Sequence, residues 1–294
     1  WADLIQRQTT EISYTQTLKA LQTGRTCNSS LQQRKCSNVG GNYRATLIMK
    51  ELIFILTIIF STNCFGQQRD KFIISEVINK ETFSKFDRNK FKVDRNNIFE
   101  DSNYIVSKSC SGEWGGTIKF KNKKTGIQYS AASTCPVVVT KFNDTYFITN
   151  TLAHLSGSSE ILAIQNPDSL GVFEVPKPRQ MKGDTIIRYI GDDEDKSARG
   201  TKSLVDSIGV LTLATFPFRA KLYHIVTDFE KTYLTEIIGS KFVSIDTISN
   251  ESLWTYEPEV FITQDRHSIV FFDNEKATGY LDIFENTIKV IRRK

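Results

Sequence analysis

The sequence lacks every short signature that would name a chemistry outright. No G-x-x-x-x-G-K-[ST] loop and no G-x-G-x-x-G turn is present to cradle a nucleotide. H-E-x-x-H, G-x-S-x-G and S-x-x-K are missing as well, which removes the commonest zinc-protease and serine-nucleophile signatures. Asp87-Arg88-Asn89 begins like a calcium loop, but Phe91 stands where a third oxygen ligand is needed. The Asp-box of sialidase-type propellers is not found. Histidine is scarce, at three residues, and no C-x-x-C or close Cys/His pair occurs, so neither a metal site nor a cofactor is expected.

Net charge is also in short supply once it is located. The chain carries +5. Residues 1–48 hold six cations (Arg7, Lys19, Arg25, Arg34, Lys35, Arg44) against Asp3 and Glu11, and Lys50 cancels Glu51, so the stretch from Gln67 onward keeps only +1. Such a chain has no global field to draw in nucleic acid or an anionic membrane surface. Residues 1–48 begin with Trp1, show no sustained apolar periodicity and are rich in Thr, Gln, Ser and Arg. They read as disordered upstream translation outside the folded protein, with a disordered basic arm as the alternative.

Long apolar runs are absent except for Leu52 to Phe60. That run follows Met49 and Lys50 and is about half of the roughly 20 residues a spanning helix needs. Residues 49–66 therefore read as a signal peptide cleaved after Gly66, which leaves no transmembrane anchor. A buried core segment and a retained anchor are the other readings. The ending Cys64-Phe65-Gly66-Gln67-Gln68 resembles signal peptides of the Bacteroidetes. A lipoprotein anchored through Cys64 is the rival for localisation, although Asn63 sits where a lipobox wants a small residue. The expected compartment is periplasmic or secreted.

Export changes the meaning of the cysteines. After Gln67 only Cys110 and Cys135 remain, and an even count in an exported chain favours one disulfide. Two separately buried thiols are the plainer alternative. Closing a loop of about 25 residues stabilises by roughly 3 kcal/mol in the chain-entropy model.

What residues 67–294 do have is β signal. Thr117 to Lys121, Ile127 to Ser130, Val137 to Phe142, Tyr146 to Asn150, Tyr223 to Val226, Tyr233 to Ile237 and Phe242 to Ile245 are short runs rich in β-branched and aromatic residues, separated by turn residues. Val260 to Thr263, Ile269 to Phe272, Tyr280 to Phe284 and Ile288 to Ile291 continue the pattern. Helix is expected only in pieces, around Lys80 to Phe86 or Lys202 to Asp206. No linker divides the stretch; Val175-Pro176-Lys177-Pro178 is its only proline cluster. Strand-rich units begin near Pro136, Arg179, Lys221 and Pro258, a period of about 40 residues, which is the spacing of propeller blades. The expected fold is all-β and propeller-like, with about five small antiparallel blades in one domain, 67–294. A β-sandwich or irregular β-domain with evenly spaced hairpins is the alternative.

Cys110-Ser111-Gly112-Glu113-Trp114-Gly115-Gly116 and Ala153-His154-Leu155-Ser156-Gly157-Ser158-Ser159-Glu160-Ile161 together resemble uncharacterised secreted β-propeller-like proteins of Bacteroidetes. The resemblance implies a fold and names no activity.

The same two stretches hold the candidate ligand-binding residues: Glu113, Trp114, His154, Ser156, Ser158 and Glu160. Trp114 between glycines reads as a loop residue whose flat face can stack on a sugar or peptide; the plainer reading has it capping a core beside Cys110. His154 could ligate or transfer a proton, or simply satisfy turn backbone. His224, on a strand, and His267, in a polar turn, read as structural. Asp192-Asp193-Glu194-Asp195 could hold Ca²⁺, but four adjacent acids without alternate spacing read as a solvated loop. No catalytic residue is identified.

The resulting functional expectation is an exported, non-catalytic binding or scaffold module of the periplasm or cell envelope, with a carbohydrate or a peptide or envelope protein as partner and no nucleic acid. The alternatives are a carbohydrate-active hydrolase whose carboxylates come from several blades, and a purely structural envelope protein. The export reading predicts a mature chain that starts at Gln67. Amino-terminal sequencing of secreted material checks this; a diacylated Cys64 start would make it a lipoprotein, and a Trp1 start would overturn export.

Overall fold

In the computed structural model the described residues are 71–78, 97–174, 179–181, 185–187, 191 and 193–293. The chain separates into two units, Trp1–Gln68 and Arg69–Lys294, and the described residues all belong to the second. The upstream stretch 1–48, the signal stretch 49–66 with Cys64, Gln67, the helical piece expected around Lys80 to Phe86 and Val175 to Pro178 lie outside the described residues.

Among the described residues there are twenty strands and no α-helix. Strand β1 (Ile73–Ile78) runs ahead of β2 (Asn97–Glu100), β3 (Tyr104–Cys110), β4 (Gly116–Asn122) and β5 (Gln128–Ala132). Next come β6 (Pro136–Phe142), β7 (Thr145–Leu152), β8 (Ser158–Ile164) and the two-residue β9 (Gly171–Val172). A small hairpin, β10 (Arg179–Met181) and β11 (Thr185–Ile187), precedes β12 (Lys202–Ile208) and β13 (Leu211–Phe218). The chain ends with β14 (Lys221–Thr227), β15 (Thr232–Ile238), β16 (Lys241–Ser249), β17 (Val260–Ile262), β18 (Ser268–Asp273), β19 (Thr278–Phe284) and β20 (Thr287–Arg292).

These strands build four sheets of four or five strands each, plus the isolated β10–β11 hairpin. The first sheet has the order β2-β3-β4-β5-β9 and the second β12-β8-β7-β6. The third is the meander β13-β14-β15-β16, and the fourth is β1-β20-β19-β18-β17. All pairings are antiparallel except β1 on β20, which is parallel from Ile73↔Thr287 to Ile78↔Arg292.

Alternation explains why these residues form sheets with an inner face. In β20, Ile288 and Val290 are buried while Lys289 between them is exposed. The inner faces of the first and second sheets meet in an apolar layer that includes Val106, Ile118, Phe120, Val139, Ile148 and Ile164. The third and fourth meet in another, with Leu213, Tyr223, Leu234, Phe272, Leu281 and Val290. The second and third sheets meet differently. There β13 packs on β6, β7 and β8, and hydroxyls interlock: Thr140 Oγ1 donates to the Thr215 carbonyl at 2.9 Å, Thr149 and Thr215 pair at 2.6 Å, Thr151 Oγ1 donates to the Thr212 carbonyl at 2.7 Å, and Ser159 donates to Thr212 Oγ1 at 2.6 Å.

The units expected near Pro136, Lys221 and Pro258 each belong to a separate antiparallel sheet. Among the described residues, the unit expected over Arg179 to Ala220 does not form one sheet: Arg179–Met181 pairs only with Thr185–Ile187. Lys202–Ile208 instead adds to the edge of the second sheet and Leu211–Phe218 opens the third. The reason lies in β13, which is buried on both faces from Leu211 to Phe216 and so suits a place between two sheets rather than the edge of its own blade. Lys202 to Asp206, expected as a helical piece, is strand: Val205 is buried opposite Ile161 on β8. The all-β reading and its small antiparallel sheets stand.

Two devices tie the amino-terminal strand into the fourth sheet. Arg292 meets Glu76 of β1 at 2.7 Å and reaches the third sheet through Ser249 at 2.8 Å and through Glu251. Just before β1, Phe72 is buried against the rings of Tyr223 at 4.8 Å and Phe218 at 5.3 Å. Replacing Phe72 with Ala is expected to lower unfolding free energy by about 3 kcal/mol, read from urea denaturation. A loss below about 0.5 kcal/mol, the scale of a neutral surface change, would mean that this strand is not part of the cooperative unit.

Candidate functional site

The site grows from the connection between β3 and β4. Cys110 closes β3 and is bonded to Cys135, just ahead of β6, with the two Cα atoms 4.4 Å apart. The bond fastens the first sheet to the second at the root of the loop. Gly116 reopens the hairpin where a Cβ would fall 2.5 Å from the Ser133 carbonyl oxygen, so only glycine fits the close pass of the two chains. Between them Gly112–Trp114 makes a single 3₁₀ turn, held by the Ser111 amide donating to Gly115 O at 2.7 Å.

A second segment braces this loop from beneath. Glu194 is buried, and its carboxylate accepts hydrogen bonds from the hydroxyls of Ser109 (2.5 Å), Ser111 (2.7 Å) and Thr117 (2.5 Å). Asp195 accepts from Ser130 and from the Ser197 amide, and its own amide donates to Thr117 Oγ1. Lys196 Nζ donates to the Trp114 carbonyl at 3.0 Å. The acidic run expected as a solvated loop or a Ca²⁺ site is therefore corrected at Glu194 and Asp195, whose oxygens are spent on hydroxyl and amide donors; Asp192 lies outside the described residues. Burial alone would raise the Glu194 pKa, but the three hydroxyls and the Lys119 charge outweigh it and hold the group below the usual glutamate range.

On this braced loop Trp114 stands 57% exposed, so it does not cap a core. Glu113 beside it lies 3.5 Å from His154 Nδ1, both side chains about half exposed. The two stretches singled out in the sequence thus meet at one surface point. His154 sits in the turn after β7, where its carbonyl accepts from the Gly157 amide at 2.9 Å. Ser156 is exposed in the same turn and Ser158 begins β8. Glu160 is not free: it accepts from Asn150 Nδ2 at 3.2 Å, and Asn150 in turn accepts from the Ser133 hydroxyl at the foot of the Trp114 loop.

The surface continues past the residues picked out in the sequence. Leu155 is 92% exposed. A Cβ on Gly157 would collide with the Phe229 ring at 2.6 Å, so that ring lies against the turn. Phe229 meets Trp254 edge-on at 5.7 Å, and Trp254 meets the exposed Tyr256 at 5.0 Å. Contacts therefore run unbroken from the Trp114 loop through the His154 turn to the β14–β15 and β16–β17 connections. Trp254-Thr255-Tyr256 was not singled out in the sequence; an aromatic cluster outside any strand pattern is the signal that could have marked it, but nothing local links it to Trp114.

The other two histidines are engaged by neighbouring side chains. His224 is buried, shares a hydrogen bond with Thr215 Oγ1 through Nδ1 at 2.9 Å, and is pushed down to about 3 by burial. His267 bonds Asp282 at 2.6 Å and stacks on Phe284. Asp101 is a structural carboxylate too: burial would raise its pKa, yet Lys141, Tyr146 and the amides of Tyr104 and Asn103 hold it well below the usual range.

The Glu194 brace has a defined pH signature. A carboxyl whose folded pKa is depressed contributes stability above its unfolded value, roughly 4.3, and loses it as pH falls toward the folded value. Glu194→Gln should cost about 2 kcal/mol at pH 7, with the gap to wild type closing as pH falls from the unfolded value through the lower folded one. Urea midpoints across that range check it; a gap independent of pH would mean that the carboxylate charge is not what holds the loop.

No family model matches the chain, and neither does any curated protein or any solved structure, so the Trp114 surface has to be interpreted from its own geometry.

Proposed function

We propose that this protein is an exported recognition module that binds carbohydrate on the surface led by Trp114. The observation that carries the reading is an exposed tryptophan on a loop held by a disulfide, by the buried Glu194 carboxylate and by Lys196. A flat indole stacks on a sugar face, and Glu113 and His154 beside it offer polar atoms to sugar hydroxyls. Because the loop is already fixed, little ordering entropy opposes binding. The Phe229–Trp254–Tyr256 row continues the aromatic surface beyond the His154 turn.

The compartment belongs to the same proposal. A disulfide bond favours the periplasm or the outside of the cell, and no helix among the described residues is long and apolar enough to cross a membrane. The propeller-like character is likewise proposed. Its supports are the face-to-face succession of four small sheets and the recruitment of β1 to complete the last of them, much as blades follow one another in propellers. A scaffold role without a ligand would leave the exposed Trp114 without purpose. A glycoside hydrolase needs two carboxylates flanking one bond. Glu113 and its neighbour His154 are not such a pair, which favours binding over hydrolysis.

Trp114→Ala should weaken retention on the recognised polysaccharide at least about tenfold, the value of a stacking contact, without moving the urea midpoint. Affinity electrophoresis through a panel of polysaccharides, run on both proteins, reads this. Retention equal in both, or in neither on any glycan while a peptide library binds, would overturn the carbohydrate reading.

A further inference from the structure

A second site lies at the other end of the second sheet. The β7–β8 turn carries His154; the β6–β7 turn, at the opposite end of β7, borders a cleft of about 540 Å³ between the second and third sheets. That volume falls in the range of small-ligand sites, roughly 300–1,000 Å³. Phe147 of β7, Leu204 of β12 and Leu222 of β14 give it apolar walls.

Its polar groups are few and unequal. Glu236 and Lys221 neutralise each other at 2.9 Å. Lys202, also lining the cleft, is exposed and has no ion-pair or hydrogen-bond partner among the described residues. The lining therefore carries one uncompensated positive charge.

His224 lines the cleft while being only 1% exposed, so it lies at the floor. Its Nδ1 is engaged by Thr215, which pairs in turn with Thr149.

We propose that this cleft binds a small amphipathic anion, with its acid group at Lys202 and its apolar body on Phe147, Leu204 and Leu222. This site is independent of the Trp114 surface. A carboxylate or sulfonate on an aromatic or short aliphatic body has the required chemistry.

The probe is 1-anilinonaphthalene-8-sulfonate, titrated into the folded protein and followed by its fluorescence. Saturable enhancement is expected on wild type and on Trp114→Ala, weakened about tenfold in Lys202→Glu, where the probe's sulfonate would face a carboxylate instead of an ammonium, and lost in Leu204→Asp. Urea midpoints of each variant separate binding from partial unfolding, and Lys202, being exposed, can be changed without touching the core. Decanoate should displace the probe and decanol should not. No saturable signal up to about 1 mM probe, the affinity of a weak encounter at roughly 4 kcal/mol, would overturn the proposal. So would an undiminished signal in Lys202→Glu, or a signal lost in Trp114→Ala.

Discussion

The hydroxyl seam between the second and third sheets is the constraint on which the rest of the arrangement depends. Thr140, Thr149, Thr151 and Ser159 on one side meet Thr212 and Thr215 on the other, at 2.6–2.9 Å. All six are buried. Apolar layers such as Ile118 on Ile148 are non-directional and tolerate small shifts. Hydroxyls do not: a slip of one residue would bury several of them unpaired, each at about 1–3 kcal/mol. The seam therefore selects one relative placement of the two sheets, and the apolar layers on either side supply most of the free energy.

That placement sets what sits at each end. It brings the β7–β8 turn of the second sheet against the β14–β15 connection of the third, where Gly157 leaves room for Phe229. At the opposite end it leaves the second and third sheets apart, and the gap is the cleft floored by His224. The disulfide plays the same part for the first sheet, since Cys110–Cys135 fixes the Trp114 loop relative to the start of β6. Removing the disulfide would free the loop root, yet Glu194 would still bind Ser109, Ser111 and Thr117. The loop is held twice, once covalently and once by a charge.

Strands were legible in the sequence wherever a hairpin carried its own turn, as in Val137 to Asn150 or Tyr223 to Ile237. Membership of a sheet was not legible for strands that leave their hairpin. Lys202–Ile208 returns to β8 across nearly 40 residues of chain, and the two-residue β9 returns to β5; no local pattern encodes either partner. Thr212 and Thr215, three residues apart, fall on opposite faces of a strictly alternating strand; the register shift between Thr212 and Ala214 lets both meet hydroxyls of the second sheet. The Glu113, Trp114 and His154 surface was legible because glycines flank an aromatic residue. Glu194 was misread because its donors come from residues 77–85 positions earlier, and four acids in a row resemble solvent-facing charge.

The seam also bears on whether the two ends can communicate. It consists of two hydrogen-bonded sets, His224 with Thr215 and Thr149 at the cleft, and Thr212 with Ser159 and Thr151 nearer the Trp114 end, on neighbouring stretches of the same strands. Ser159 also donates to the Asn150 carbonyl, and the Asn150 side chain joins Glu160 and Ser133. Proximity of the two sets is not in itself a coupling device; coupling needs an element with two arrangements of similar free energy. Here every hydroxyl is buried and paired, so an alternative arrangement would leave donors unsatisfied and lie several kcal/mol higher. A stiff seam of this kind transmits position and not change. It holds the Trp114 surface and the cleft in fixed relation, so that, if both bind as proposed, occupancy of one is expected to leave the affinity of the other unchanged.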